Sequence, residues 1–183
     1  MGHLAMHATA HRHPAEQLPL GVPARARATD ERYTPAWLFD AMGLAFALDV
    51  AAPAGGVPWI PAELHYSAAD DGLARPWRGL VWCNPPFSHP EPWVRKWVEH
   101  GSGVLLFPMN VNARWLFHLL AHVPRVVLLE HIRFEHPTHT GRHVPVGIAL
   151  TALGPGTVAL DRVAATGRGR LLAVLDGGES GEN

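Results

Sequence analysis

An α/β domain with a mainly parallel sheet flanked by helices is the fold class that this 183-residue sequence predicts. Two observations carry that expectation. Short apolar runs of strand length alternate with segments whose apolar residues recur at helical spacing, which is the signature of successive βα units. Hydrophobic residues also make up 48% of the chain, ample for a buried core.

The elements follow in order. Thr34-Pro35 starts a helix, with Thr34 placed to cap and Pro35 suited to the first helical position. Trp37, Leu38, Ala41 and Met42 form one apolar face, and Gly43 stops the helix. Phe46–Ala51 (FALDVA) reads as a buried strand ending near Asp49, and Leu80–Cys83 (LVWC) as a second. Pro90–His100 is helical, with Trp93, Val94, Trp97 and Val98 opposite Arg95, Lys96 and Glu99. Val104–Pro108 is another strand. Asn112 then caps a helix bearing Trp115, Leu116, Leu119 and Leu120. Arg125–Glu130 and Pro145–Thr151 are strands, and Arg170–Leu175 adds an edge.

Residues 29–175 therefore form one domain between two tails. Residues 1–28 are rich in Ala, Pro, Arg and His without a sustained period, and 176–183 (DGGESGEN) is polar and Gly-rich, so both are expected to be disordered. His3, His7, His11 and His13 lack a Cys or carboxylate cluster beside them, and a solvated tail accounts for them better than a metal site. No run reaches membrane-spanning length and no secretory signal opens the chain. Cys83 is the single cysteine and can form no internal disulfide, so a reducing, cytoplasmic setting is expected. The net charge of −1 does not announce a nucleic-acid binder, and contact with DNA would have to use a local face. Of fifteen basic residues only Lys96 is a lysine; the arginine fork suits phosphates and base edges, but a GC-rich genome accounts for the arginine richness better.

In an open α/β sheet, ligands gather at the carboxyl ends of the strands. Two segments fall there. Val81–Phe87 (VWCNPPF) runs from a buried strand into Asn84-Pro85-Pro86-Phe87. Neither proline donates a backbone hydrogen bond, both fix φ, and each biases the residue before it away from helix. The result is a stiff turn of outward acceptors. An aromatic amine is a poor nucleophile because its lone pair is delocalised into the ring. The Asn84 side-chain oxygen and the Pro85 carbonyl can hold its two hydrogens and favour the geometry that releases the pair. Phe87 can stack on the base; a rigid strand exit with Phe87 in the core is the plain alternative.

The second segment is Asp49 with the small residues after it, Ala51–Gly56 (AAPAGG), where backbone can approach a ligand closely. A carboxylate there can bind an ammonium group, although an ordinary Ala/Gly turn also accounts for the segment. Asp70-Asp71-Gly72-Leu73 is an acidic turn that can accept an amine or simply cap structure. Tyr33-Thr34-Pro35 is open in the same way, as a ligand wall or as a helix start.

Taken together and in this order, YTP, LDVAAP, DDGL with Trp77 after it, VWCNPPF and Ile132-Arg133-Phe134 resemble the phage-type DNA N-6-adenine methyltransferases, over about Asp30–Phe134. The NPPF loop is the specific part. The resemblance implies a Rossmann-like methyltransferase fold and S-adenosyl-L-methionine as cofactor. It implies methylation of the exocyclic amine of adenine in double-stranded DNA by a phage or prophage protein serving restriction evasion. It further implies that Tyr33, Thr34 and Pro35 line the methionine end of the cofactor, that Asp49 and Ala51 belong to its principal loop, and that Asp70 and Asp71 reach its adenine. Asn84, Pro85, Pro86 and Phe87 would hold the target amine, and Arg133 a DNA phosphate.

Three positions depart from the family pattern: AAPAGG replaces a clear G-x-G, the ribose-binding acid is not evident (Glu63 is the candidate), and Phe87 stands where Tyr is commoner. The three histidines of His136–His143 have no diagnostic ligand spacing and read as a polar loop. Competing readings are a protein-glutamine or RNA methyltransferase, since such loops also serve planar amides, and an inactive binding module of the same fold.

Overall fold

The computed structural model describes residues 32–135 and 146–175. Both expected tails, the amino-terminal histidines and the His136–His143 stretch lie outside these residues. Seven strands form one sheet in the order β2-β1-β3-β4-β6-β5-β7. They are β1 (Phe46–Asp49), β2 (Ala62–His65), β3 (Val81–Cys83), β4 (Gly103–Pro108), β5 (Arg125–Leu129), β6 (Ile148–Leu153) and β7 (Gly169–Ala173). The helices are α1 (Ala36–Met42), α2 (Glu91–His100), α3 (Arg114–Leu120) and α4 (Val158–Ala165).

The sheet is mixed rather than mainly parallel. β2, β1, β3 and β4 pair in parallel, whereas β4–β6, β6–β5 and β5–β7 are antiparallel. The physical reason lies in the connections. A parallel neighbour needs a crossover that carries the chain back to the opposite rim, whereas β6 starts beside the end of β5, with Leu129 opposite Ile148, and so runs antiparallel to it. Because β6 opposes both β4 and β5, β5 runs with β1–β4. The carboxyl ends of β1–β5 and the amino ends of β6 and β7 therefore share one rim.

Helices cover both faces. Leu38, Phe39 and Met42 of α1 and Ala159, Leu160 and Val163 of α4 pack with Trp82, Val104 and Leu106. On the other face, Val94 and Trp97 of α2 and Trp115, Leu116 and Leu119 of α3 pack with Val81, Cys83, Leu105 and Phe107. The alternation Val81/Trp82/Cys83 across the two clusters is the two-residue period of a strand buried on both sides.

Helix ends differ in part from expectation. Gly43 stops α1 with φ 57° and donates its N–H to the Phe39 carbonyl at 3.0 Å, the role read from the sequence. Thr34 does not cap α1: Pro35 holds the N-cap position and no side chain bonds there. Asn112 does not cap α3 either, whose N-cap is Ala113. Its backbone N–H instead donates to Asn110 Oδ1 at 3.2 Å, so the side chain that organises this turn is two residues earlier. β2 and α4 were not read from the sequence at all. No described helix is long and apolar enough to cross a membrane.

Candidate active site

Two groups on the shared rim are buried without the partners their chemistry requires. The first is Asn84, immediately after β3. Its side-chain Nδ2 donates to the Arg32 carbonyl at 2.8 Å and to Thr34 Oγ1 at 3.3 Å. Since the Arg32 oxygen is an acceptor only, these bonds fix which end of the amide faces it. Oδ1 must then point the other way, and it is buried with no hydrogen-bond partner. Leaving such an acceptor unpaired costs about 1–3 kcal/mol, a cost that folding alone gives no reason to retain.

The second is Asp49, the last residue of β1 and 3% exposed. Among the described residues, only the Ala51 N–H reaches its carboxylate, at 3.2 Å. Burial pushes the carboxyl up to about 7, and the Ala51 hydrogen bond offsets only part of that rise. A buried carboxylate without a cation is poorly stabilised, and a ligand ammonium is the partner that would favour its charged form. Asp49 pairs in register with Trp82, two residues before Asn84. Burial, and then the Asp49 charge, push the intervening Cys83 thiol well above its ordinary range. The two orphan groups thus lie at the ends of neighbouring strands.

The segment before α1 forms one wall. Thr34 is buried, and its carbonyl accepts from Trp59 Nε1 at 2.8 Å. Tyr33 exchanges backbone bonds with Glu135 at 3.0 and 2.8 Å, which brings the YTP segment against the Ile132–Phe134 stretch. Pro35 is buried, whereas Tyr33 and Ala51 are half-buried. In the NPPF loop, Pro85 is buried and the Pro86 carbonyl accepts from the His89 N–H at 3.1 Å, closing the turn. Phe87 is half-buried, with the Phe134 ring edge-on at 5.8 Å and the Arg32 guanidinium 4.7 Å over its face.

The acidic turn lies beside the β1 exit. A Cβ on Gly72 would stand 2.2 Å from the Val50 carbonyl, so the two backbones touch there and only glycine fits. Lys96 of α2 clamps this turn by donating to the carbonyls of Gly72, Leu73 and Arg75 at 3.1, 2.6 and 2.5 Å. Asp70 is engaged locally. It accepts from the Ser67 N–H at 2.9 Å and the Ser67 hydroxyl at 2.8 Å, and these bonds hold its carboxyl below the usual range. Asp71 takes φ 55°, and its carboxylate accepts the Ala74 N–H at 3.3 Å. Glu63 is exposed on the edge strand β2.

Sequence reasoning missed Arg32 and Trp59, the residues that fix Asn84 and Thr34. Neither carries a motif signal. Arg32 acts on Asn84 through its backbone carbonyl, which is blind to residue type.

Comparison with known families decides what this rim belongs to. The family model for DNA N-6-adenine-methyltransferase (Dam) matches residues 23–148. The chain belongs to the Dam family. A search of curated proteins found no match to it. The match contains the YTP segment, both orphan groups, the acidic turn and the NPPF loop, so the geometry above is that of a DNA adenine methyltransferase family member.

Proposed function

We propose that this Dam-family chain transfers a methyl group from S-adenosyl-L-methionine to the exocyclic amine of adenine in double-stranded DNA, and that it serves a phage or prophage in restriction evasion. The observation that carries this reading is the Asn84 side chain, fixed through Nδ2 by Arg32 and Thr34 while Oδ1 stays buried and unpartnered. An acceptor held ready costs no reorganisation when a substrate N–H arrives.

The residues present fit the cofactor. Asp49 receives the methionine ammonium, which supplies the missing cation, with Ala51 at its side. Thr34, Pro35 and Tyr33 wall the methionine end. Asp71 receives the adenosyl amine, while Asp70 fixes the turn through Ser67. When bound, the cofactor supplies a methyl carbon made electrophilic by its sulfonium.

The chain's own contribution is positioning. Asn84 Oδ1 accepts one hydrogen of the target amine and the Pro85 carbonyl accepts the other. Pro85 and Pro86 keep both acceptors from relaxing. The amine nitrogen pyramidalises and its lone pair becomes available. No strong general base is required, because the nitrogen turns acidic once it bears the methyl group and its surplus proton passes to water. Phe87 receives the flipped base on the ring face that Arg32 covers. Base stacking is worth about 1–3 kcal/mol, and taking this ring face shifts the Arg32 guanidinium that now lies 4.7 Å over it.

Incubation with methyl-labelled cofactor and separate DNA, RNA and protein pools tests the reading. Label should enter DNA as N6-methyladenine. Label confined to protein or RNA would overturn it.

A further inference from the structure

We propose that the turn between β4 and α3 is a DNA wedge, with Val111 entering the duplex in the gap that the target adenine leaves. This rests on the adenine-methyltransferase reading above and assigns it a residue that opens the substrate.

Val111 is 64% exposed, the most exposed large apolar side chain on this rim among the described residues; Val146, just before β6, shares the rim at 42%. Leu64 lies on the edge strand β2, Phe117 projects from α3 away from the core, and Val158 and Leu175 follow strands that run away from the rim. Val111 stands on the rim itself, at the carboxyl end of β4, the strand adjacent to β3 and its NPPF loop.

Register sets its height. Cys83 pairs with Leu105, yet β4 continues to Pro108. At about 3.3 Å per residue, those further residues carry the turn roughly 10 Å beyond the level at which β3 ends. The turn therefore stands beyond the end of β3, beside the strand exit that leads into the NPPF loop.

The tip is stiff. The Asn110 N–H donates to the Pro108 carbonyl at 2.9 Å, and the Ala113 N–H to the Asn110 carbonyl at 3.0 Å. Asn110 Oδ1 accepts the Asn112 N–H at 3.2 Å, and the Met109 N–H donates to the Gly147 carbonyl at 2.7 Å. A turn so braced cannot fold Val111 back onto the protein, so its side chain stays in water until an apolar surface arrives. Unstacked base faces are such a surface, and inserted aliphatic side chains are an established means of holding a duplex open. Arg114, three residues on, is exposed and makes no ion pair or hydrogen bond among the described residues, which leaves its guanidinium for a phosphate beside the opened step.

The test compares wild type, Val111→Ala and Val111→Leu on one DNA preparation, used as duplex and after heat denaturation. A wedge matters only where a base must be extruded. Val111→Ala should lower kcat/KM on the duplex by about 5- to 20-fold and leave the denatured form within about twofold, while Val111→Leu stays near wild type on both. Thermal unfolding should match wild type, because the side chain packs little in the free protein. Unchanged duplex activity, or equal losses on both forms, would overturn the wedge alone. A wild type inactive on both forms would overturn the adenine reading and the wedge with it.

Discussion

Asn84 donates its side-chain amide to the Thr34 hydroxyl at 3.3 Å, across a sequence separation of 50 residues. That bond, with the one to the Arg32 carbonyl, joins the YTP and NPPF segments into one site and uses both amide hydrogens of Asn84 on the protein. The side chain is consequently anchored through its nitrogen, with its oxygen left unpartnered.

Substitution of Asn84 should separate chemistry from cofactor binding. Asn84→Ala should lower the methyl-transfer rate by about 100- to 1000-fold, the range found when a fixed transition-state hydrogen-bond group is removed. Calorimetry should show cofactor affinity within a few-fold of wild type. Thr34→Val keeps the shape and removes the hydroxyl, so Asn84 keeps only its Arg32 anchor; kcat should fall by about tenfold while Thr34→Ser restores it. Full activity of Asn84→Ala would show that the amine is held elsewhere.

If Asp49 holds the ammonium of the cofactor as proposed, its carboxyl, raised to about 7, makes that binding depend on pH. Below that value the group is neutral and offers an ammonium no charge. Affinity should tighten by up to about tenfold per unit as pH rises from 5 to 7, then level off. Above about 8 it should weaken again as the α-amino group of the ligand loses its proton. Stability of the free protein runs the opposite way. The folded value lies above the unfolded one, so the contribution of this group is fully present below about pH 4 and is lost as pH rises through 7. The loss is on the order of 4 kcal/mol for a shift of this size. Asp49→Asn should raise the Tm of the free protein at pH 8, flatten its pH dependence and abolish cofactor binding. Thermal unfolding across pH, with and without cofactor, measures both halves.

Lys96 and Gly72 hold the acidic turn against the β1 exit from two sides. Lys96→Met keeps the stem and removes the donor to three carbonyls. It should weaken cofactor binding by about tenfold while destabilising the fold by about 1–3 kcal/mol. Lys96→Arg should not rescue, because a planar fork cannot converge on carbonyls arranged for a point charge. Gly72→Ala forces the turn off Val50, since the added carbon would stand 2.2 Å from its carbonyl. Cofactor affinity should fall more in this variant than in Lys96→Met, and an unaltered affinity in both would remove the acidic turn from the site.

The strands and helices buried on a whole face were legible because their apolar periodicity is a consequence of burial. β2 (AELH) escaped because it is an exposed edge strand, held by pairing with β1 and largely free of core contacts. α4 escaped because Gly154-Pro155-Gly156 punctuates the chain just before it, and its two valines read equally well as strand. The site was legible as motifs and not as bonds. Thr34 fits the local rules for a cap, but Asn84 claims its hydroxyl from 50 residues away, a contact that no local rule contains. Strand direction departs from the mainly parallel expectation at β6 and β7, because alternating apolar segments reveal the elements but not the rim to which each connection returns.

Phe87 discriminates a stacking platform from a core residue. Its ring meets the Phe134 ring edge-on at 5.8 Å and lies under the Arg32 guanidinium at 4.7 Å, so one edge is packed and one face carries a cation. If the face serves the base, Phe87→Ala should raise KM for DNA by about 5- to 100-fold, the range that stacking implies. Cofactor affinity should be untouched, and Phe87→Tyr, which keeps the face, should stay within about twofold in KM. If the ring served only the core, Phe87→Ala would cost about 3–5 kcal/mol of stability with no selective change in KM. Urea unfolding measured beside steady-state kinetics separates the two, because a platform moves KM at constant kcat and a core residue moves the unfolding midpoint instead.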